Sequence, residues 1–496
     1  VEVRGGTYRE QVTIQASGTE NSRIIFKRYM DEVVTIDSEN QRCWGVTVGK
    51  NNPGTTFGNY VTVDGFTVKN PWTDPVCSVS GGILVIGADN VLVRNNHIFR
   101  DDYQGYPDRY VPNDRLARGI YVMGHSNDVA VELNTVHHVW NGIGARVGSG
   151  DVGPVPPERP VFRQNHVYFV NAETDENNAQ NNAAAMVFSN LVSNGTAEEN
   201  VVHHGLDVAI LTNENYGGHI FRNNIGYLSD MPVETAGNGP GFKTKAEYAR
   251  FREKVYGNVA FLNREIGFVM NAFTFGPAIY HNTAYGNLNE GMSISGVNGD
   301  PNHDSISMNN AIFNNLRDFK YNGGNQINDY NFVGDGLVDG GNANSILGGD
   351  PKFNNLATLD QDIDGDKTPD ILEPLNDYTS FLTPGGNVDT VAAIEYAQET
   401  MRDVFGLQAD SPLIDAGKLI VGYHCPDSDD VNPNQENCVH WSGIAPDIGA
   451  FEYNPVQLNT FNNSQVFPTN GTILTNFVYS VNYTDSNNAP PKFVKV

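Results

Sequence analysis

Asn258–Asn271 reads NVAFLNREIGFVMN, and this stretch decides the fold. It opens with Asn, a variable residue, a small apolar residue and an aromatic (Asn258–Phe261). From Gly267 it alternates apolar and variable residues. Alternation at period two marks a strand with one buried face. The opening phrase recurs at Asn96–Phe99, Asn134–His137, Asn165–Tyr168, Asn200–His203, Asn224–Tyr227, Asn282–Tyr285 and Asn310–Phe313, with successive copies 24 to 38 residues apart. The alternating phrase recurs from Gly119, Gly142, Ala185, Ala209, Gly241 and Gly291.

Aligning those copies yields two inward columns. One runs Ile120, Ile143, Met186, Ile210, Phe242, Phe268, Met292; the other runs Val122, Ala145, Phe188, Thr212, Thr244, Met270, Ile294. Both are mostly apolar. A single such strand cannot bury its apolar face alone, whereas stacked copies bury a continuous column and pair each backbone with the turns above and below. The expected fold class is therefore all-β, a right-handed parallel β-helix with long loops on one face. The recurring Asn suits a sharp corner, because it tolerates the left-handed backbone region and its amide can bond along the stack. These Asn residues are read as structural.

The opening VEVRGGTYREQVTI and the later VTVDGFTVKN read as first turns of the same helix. The β-helix is expected over residues 1–455. Within it, 356–405 forms an insertion with an Asp-rich loop and a helix (Asp389–Phe405), and 456–496 is an Asn/Thr/Pro-rich linker or edge tail.

The chain has 496 residues, 39% hydrophobic, 18% charged, 51 Gly, and a formal net charge of −27. This is the composition of a turn-rich β protein. So acidic a surface repels nucleic acid and anionic membranes, and no run approaches the ~20 apolar residues of a membrane span. A monomer is expected. Cys425 and Cys438 bracket a short loop and read as a disulfide staple; Cys43 and Cys77 form a second pair if they stack on neighbouring turns. The even count favours an oxidising compartment and hence secretion. Strand-like sequence begins at Val1, as expected if an export signal has been removed.

The outward columns form the floor of a groove. The first runs Tyr121, Gly144, Val187, Leu211, Lys243, Val269, Ser293; the second runs Met123, Arg146, Ser189, Asn213, Lys245, Asn271, Ser295. Lys243 lies between Leu211 and Val269, and Lys245 points the same way. Apolar surroundings and a neighbouring cation both lower a lysine pKa, which a lysine base requires. Residues 241–264 hold six basic side chains, including Arg250 and Arg252, against Glu247 and Glu253. A positive strip on an acidic protein points to an anionic ligand, a uronate or sulfate. Long segments at 101–118, 147–160, 171–183 and 228–240 wall this face, and the last carries Asp230 and Glu234.

Here the residues resemble a known family. GNGPGFKTK (Gly237–Lys245), NVAFLNREIGFVMN and NTAYGN (Asn282–Asn287) are similar to pectate lyase family 9 over roughly residues 200–296. The resemblance implies a right-handed parallel β-helix that cleaves uronate-containing polysaccharides by β-elimination. It implies Lys243, in Gly-Phe-Lys, as the base, with Ca²⁺ held by an Asp cluster on earlier turns. That cluster's phrase aligns with DVAIL (Asp207–Leu211), where only Asp207 matches and Val208 and Leu211 replace acids. The family's calcium site is thus expected to be absent or rebuilt. Charge forming on the substrate carboxylate then needs other donors; Arg146, Lys245, Asn213 and Asn271 share the adjacent column.

Two other motifs stand apart. His137 and His203 fall in the aromatic column and read as stacked; His138 and His204 follow them, and His204 is retained as a substrate-binding candidate. DQDIDGDKTPD offers Asp360, Asp362, Asp364, Asp366 and Asp370 with Gly365 at the turn, the opening of a structural Ca²⁺ loop without its closing Glu. The leading expectation is a secreted polysaccharide lyase acting on an anionic polysaccharide. The alternatives are a β-helix glycoside hydrolase using carboxylates from Asp207, Asp230 and Glu234, or a non-catalytic glycan-binding solenoid.

Overall fold

The computed structural model describes residues 1–50, 56–71, 77, 80–101, 117–147, 155–170, 184–205, 208–229, 239–245, 250–271, 275–295, 304–324, 326–337, 343–363, 365–420, 441 and 443–453, together with the backbone of 424–425, 439–440, 460–467 and 478–484. Among these residues the chain winds through three parallel sheets of 12, 13 and 11 strands, each strand pairing with its counterparts one turn before and after. It is a right-handed parallel β-helix. The opening stretch supplies one strand to each sheet: Glu2–Val3 to sheet 1, Gly6–Tyr8 to sheet 2 and Val12–Ile14 to sheet 3.

Register in sheet 3 follows the expected columns. Ile120, Ile143, Met186, Ile210, Phe242, Phe268 and Met292 are partners in succession, and all are fully buried. Val46 and Ile83 extend the column toward the N-terminus and Phe319 toward the C-terminus. Burying one such side chain contributes about 1.5–3 kcal/mol, so the repeat itself supplies the core.

The corner between sheets 1 and 2 is an asparagine ladder. Asn96, Asn134, Asn165, Asn200, Asn224, Asn258, Asn282, Asn310 and Asn331 stack, each backbone N–H and Nδ2 donating to Oδ1 of the next at 2.8–3.1 Å. The left-handed backbone belongs to the residue before each Asn: Leu133 (φ 57°), Gln164 (53°), Glu199 (56°), His281 (54°) and Tyr330 (54°) among them. One ladder position has Gly257 there, and a Cβ on it would meet Asn223 Oδ1 at 2.3 Å. The Asn therefore turns the corner by hydrogen bonding, and its neighbour carries the strain.

On sheet 2 the outward rings Phe99, His137, Tyr168, His203, Tyr227 and Phe261 stack with centroids 4.7–5.2 Å apart. This apolar stripe is covered. Leu372, Leu375, Leu413, Ile448 and the buried face of helix α1 (Thr390–Phe405) pack with it in one cluster. Asp389 caps α1 by accepting from Ala392 N, so the expected helix is present. The solenoid, expected to reach 455, has its last described strand at Ile346–Leu347; much of the chain that follows packs back on sheet 2 instead of adding turns. Thr460–Phe467 and Val478–Thr484 pair antiparallel. Cys43 and Cys77 form a disulfide (Cα–Cα 5.6 Å), whereas Cys438 lies outside the described residues.

Candidate active site on the third sheet

Three outer faces are available, and two are already occupied. On sheet 1, Asp64, Arg94, Glu132, Arg163, Glu198 and Arg222 are neighbours in register. Arg94 lies 3.0 Å from Asp64, Arg163 pairs with Glu132, and Arg222 pairs with Glu198. This ladder neutralises itself. Sheet 2 lies under its cover. Sheet 3 remains.

Its outward columns also keep the expected register: Tyr121, Gly144, Val187, Leu211, Lys243, Val269 and Ser293 in one. Met123, Arg146, Ser189 and Asn213 form the other, with Lys245 beside Asn271 further along. The early half of this face is apolar and buried through Trp44, Leu84, Ile86, Tyr121, Met123 and Val187. Polar, partly exposed groups begin at Arg146 and continue through Asn213, Lys243, Lys245 and Asn271. Parallel strands thus bring these five together without any loop having to place them.

Lys243 has no hydrogen-bond or ion-pair partner among the described residues. Its charge is felt by Glu265, whose carboxyl is pushed up by partial burial, with Arg264 and Lys243 pulling the other way. Further along the face, Lys320 is engaged by Glu290 at 2.5 Å. Arg250 stacks on Tyr216 (4.4 Å), and Arg252 donates to the Gly276 carbonyl (2.8 Å). Both sit on the segment leading from sheet 3 to sheet 1 and are committed to local contacts.

Two buried ionisable neighbours escape a reading of the sequence. Glu253 is buried behind the strand Phe242–Lys245; burial pushes its carboxyl up to about 7, with the nearby polar groups of Thr212, Thr244 and Asn215 pulling the other way, and its Oε1 has no hydrogen-bond partner among the described residues. Thr212 and Thr244 are the polar gaps in the inward column, and that break in an apolar series is the signal that could have found it. Arg118 is 7% exposed, with its guanidinium 4.7 Å from the Trp140 ring and 5.0 Å from Tyr121.

His204 lies elsewhere. It is a corner residue (φ 50°) at the end of a sheet 2 strand, buried against His203 (2.7 Å) and Thr368 (3.4 Å), and burial lowers its pKa to about 3. It cannot reach a ligand on sheet 3. Asp207, Asp230 and Glu234 lie outside the described residues.

The family's calcium site is expected to be absent or rebuilt, and a structural Ca²⁺ is expected only at the Asp360–Asp370 loop. Val208 and Leu211 offer no ligand oxygen beside Asp207. In the Asp360–Asp370 loop, Asp362 accepts from Gly365 and Lys367 N, Asp366 from Thr368 N, and Asp370 from Ile363 N; Asp364 lies outside the described residues. Asp360 joins no cluster, and no group of three or more metal-ligating side chains gathers among the described residues. The described carboxylates of this loop thus hold the loop's own amides.

No family model matches the chain. Pectate lyase L of Dickeya dadantii (strain 3937) is 27% identical over 237 residues, 47% of this chain and 41% of that protein. The chain thus matches less than half the length of this curated relative. The solved structure of pectate lyase Pel9A superposes with a TM-score of 0.50 at 17% identity, covering 91% of this chain and 87% of that one. The chain has a pectate lyase's fold. An alginate lyase from Paenibacillus sp. str. FPU-7 matches more distantly, with a TM-score of 0.40 at 14% identity over 66% of this chain and 89% of that one. The pectate-lyase-like architecture accounts for the sheet register; the groove's chemistry has to be argued from its side chains. Among the described residues no helix is long and apolar enough to cross a membrane.

Proposed function

We propose that the protein is a secreted polysaccharide lyase that cleaves a uronate-containing polysaccharide by β-elimination. The observation that carries this reading is Lys243, a partly buried amine with no ion-pair partner among the described residues, held between Leu211 and Val269 on a face lined with cations and amides. In the reaction, the Lys243 amine removes the proton from C5 of a uronate. Electrons from that C–H bond form the C4–C5 double bond as the C4–oxygen bond breaks, and the departing oxygen takes up a proton. Negative charge grows on the C5 carboxylate in between. Lys245 and Asn271, paired in register, and Asn213 one column over from Leu211 supply donors toward it. The Cys43–Cys77 disulfide supports an oxidising compartment.

The test is turnover on a panel of polyuronates, sulfated glycans and neutral glycans, reading ultraviolet-absorbing unsaturated ends and reducing ends together. Lys243→Ala should lower kcat by about 100- to 10,000-fold, the usual contribution of a positioned base. Reducing ends without unsaturation would favour a hydrolase; full activity in Lys243→Ala would remove Lys243 as the base.

A further inference from the structure

Among the described residues Arg118 is a charge without a counterion. It is 7% exposed, its Nε is buried without an acceptor, and no carboxylate pairs with it among the described residues. Burying an unpaired cation is costly, so buried charges are normally paired. The rest of this chain obeys that rule: Arg94, Arg163 and Arg222 all meet carboxylates. In a protein of net charge −27 an acidic partner was readily available, yet Arg118 is held by rings instead.

The rings are Trp140 and Tyr121, at 4.7 and 5.0 Å from the guanidinium carbon. Tyr121 leans over the next turn at Gly144, where a Cβ would sit 2.6 Å from the phenol's Cζ and 2.9 Å from its hydroxyl. Glycine is therefore needed for the ring to lie there. On that same next turn Arg146 pairs in register with Met123, and among the described residues its guanidinium makes only a long hydrogen bond, to the Val147 carbonyl (3.4 Å). Burial lowers the pKa of Arg118, and the charge of Arg146 is near enough to act in the same direction. Two guanidiniums that repel each other, one desolvated, are stabilised together by an anion between them.

We infer that Arg118 and Arg146, walled by Tyr121 and Trp140, form a subsite for a carboxylate of the polysaccharide. It rests on the reading of sheet 3 as a polyuronate groove. From Arg146 to the Lys243 strand is three strand spacings, about 14 Å at the usual separation. A group bound here therefore belongs to a different sugar from the one that loses its proton. The subsite grips the chain, sets a minimum oligomer length and favours acidic polymers over neutral ones. A planar fork also matches a carboxylate better than a single-point sulfate contact would require.

The experiment measures binding of hexameric and trimeric galacturonate and alginate-derived uronate oligomers, each beside its carboxyl-reduced form. It uses the full chain carrying Lys243→Ala, alone and with Arg118→Gln or Arg146→Gln. Each arginine change should weaken hexauronate binding about tenfold or more, as loss of charge-assisted hydrogen bonds does, with less effect on trimers and none on reduced oligomers. Unchanged hexamer affinity in a folded Arg146→Gln chain, or no binding of any carboxylated oligomer, overturns the subsite. If Arg118→Gln unfolds, judged by its thermal midpoint, Arg146→Gln decides. Absence of unsaturated product from the wild-type chain would instead defeat the lyase reading, while arginine-dependent hexamer binding would leave the subsite standing.

Discussion

Asn200 illustrates the economy of a corner residue. Its Oδ1 accepts from Asn165 N and Nδ2, and its own Nδ2 donates to the Phe162 carbonyl and to Asn224 Oδ1. Replacing it with Ala strands the buried Asn165 N–H and the Phe162 carbonyl. Each stranded group costs about 1–3 kcal/mol, so Asn200→Ala should lower the unfolding free energy by roughly 3 kcal/mol in urea denaturation. A loss under about 1 kcal/mol would mean the ladder is decoration on a fold held by its core. The recurrence of this Asn was plain in the sequence because it is chemically constant. The left-handed residue before it was less plain: Asn95, Asn223, Gly257 and Asn309 suit that backbone, but Leu, Gln, Glu, His and Tyr occupy the other five places. Stacking compels those five side chains into a backbone conformation they do not prefer.

The strand Phe242–Lys245 has chemistry on both faces, and only one was visible beforehand. Outward, Lys243 and Lys245 followed directly from period two. Inward, Thr244 and the preceding turn's Thr212 looked like imperfections in an apolar column; they lie near the Glu253 carboxyl, which arrives from a segment with no fixed spacing to the strand. The Thr212 hydroxyl also accepts from Lys245 N (3.1 Å), so this interior cluster holds the strand that presents both lysines. Burial holds the Glu253 carboxyl at about 7 in the folded chain, above its ordinary value of 4.5. Below pH 4.5 both folded and unfolded chains are protonated and nothing is lost. Between 4.5 and 7 the unfolded chain ionises first, so stability falls as pH rises, by up to ~3 kcal/mol in total. Glu253→Gln keeps the shape without that penalty. Its urea midpoint should match the wild type near pH 4 and exceed it at pH 8. An equal offset at both pH values would show that the carboxyl's titration plays no part.

At the scale of the whole molecule, each face of the solenoid handles its side chains differently: sheet 1 pairs its charges, sheet 2 is roofed, and sheet 3 presents Lys243 with no ion-pair partner among the described residues. The roof was poorly legible because its residues follow no repeat, although an outward column of aromatics already required one. Buried beneath or beside it are His97, His137, His138, His166, His203 and His204, linked by contacts such as His97 Nε2–His137 Nε2 (2.7 Å) and His166 Nε2–His203 Nε2 (2.9 Å). Burial lowers the pKa of all six, to about 3 for His97, His166 and His204 and to about 4 for His138. In the unfolded chain they titrate near 6.5. Their contribution is therefore intact above pH 6.5 and is lost as pH falls toward 4, each imidazole adding a slope of up to about 1.4 kcal/mol per pH unit. This opposes Glu253, but six groups outweigh one, so the protein should be most stable near neutrality and fail steeply in acid. Because the imidazoles sit at the junction of sheet 2 with its cover, amides of α1 should lose hydrogen-exchange protection by pH 5 while the sheet 1 ladder keeps its own. The double change His137→Phe and His203→Phe preserves the ring stack, since Phe already occupies that column at Phe99 and Phe261, and it should flatten the fall in urea midpoint between pH 7 and 5. A wild-type midpoint that is level over that range would mean these imidazoles take up their protons without opening the cover.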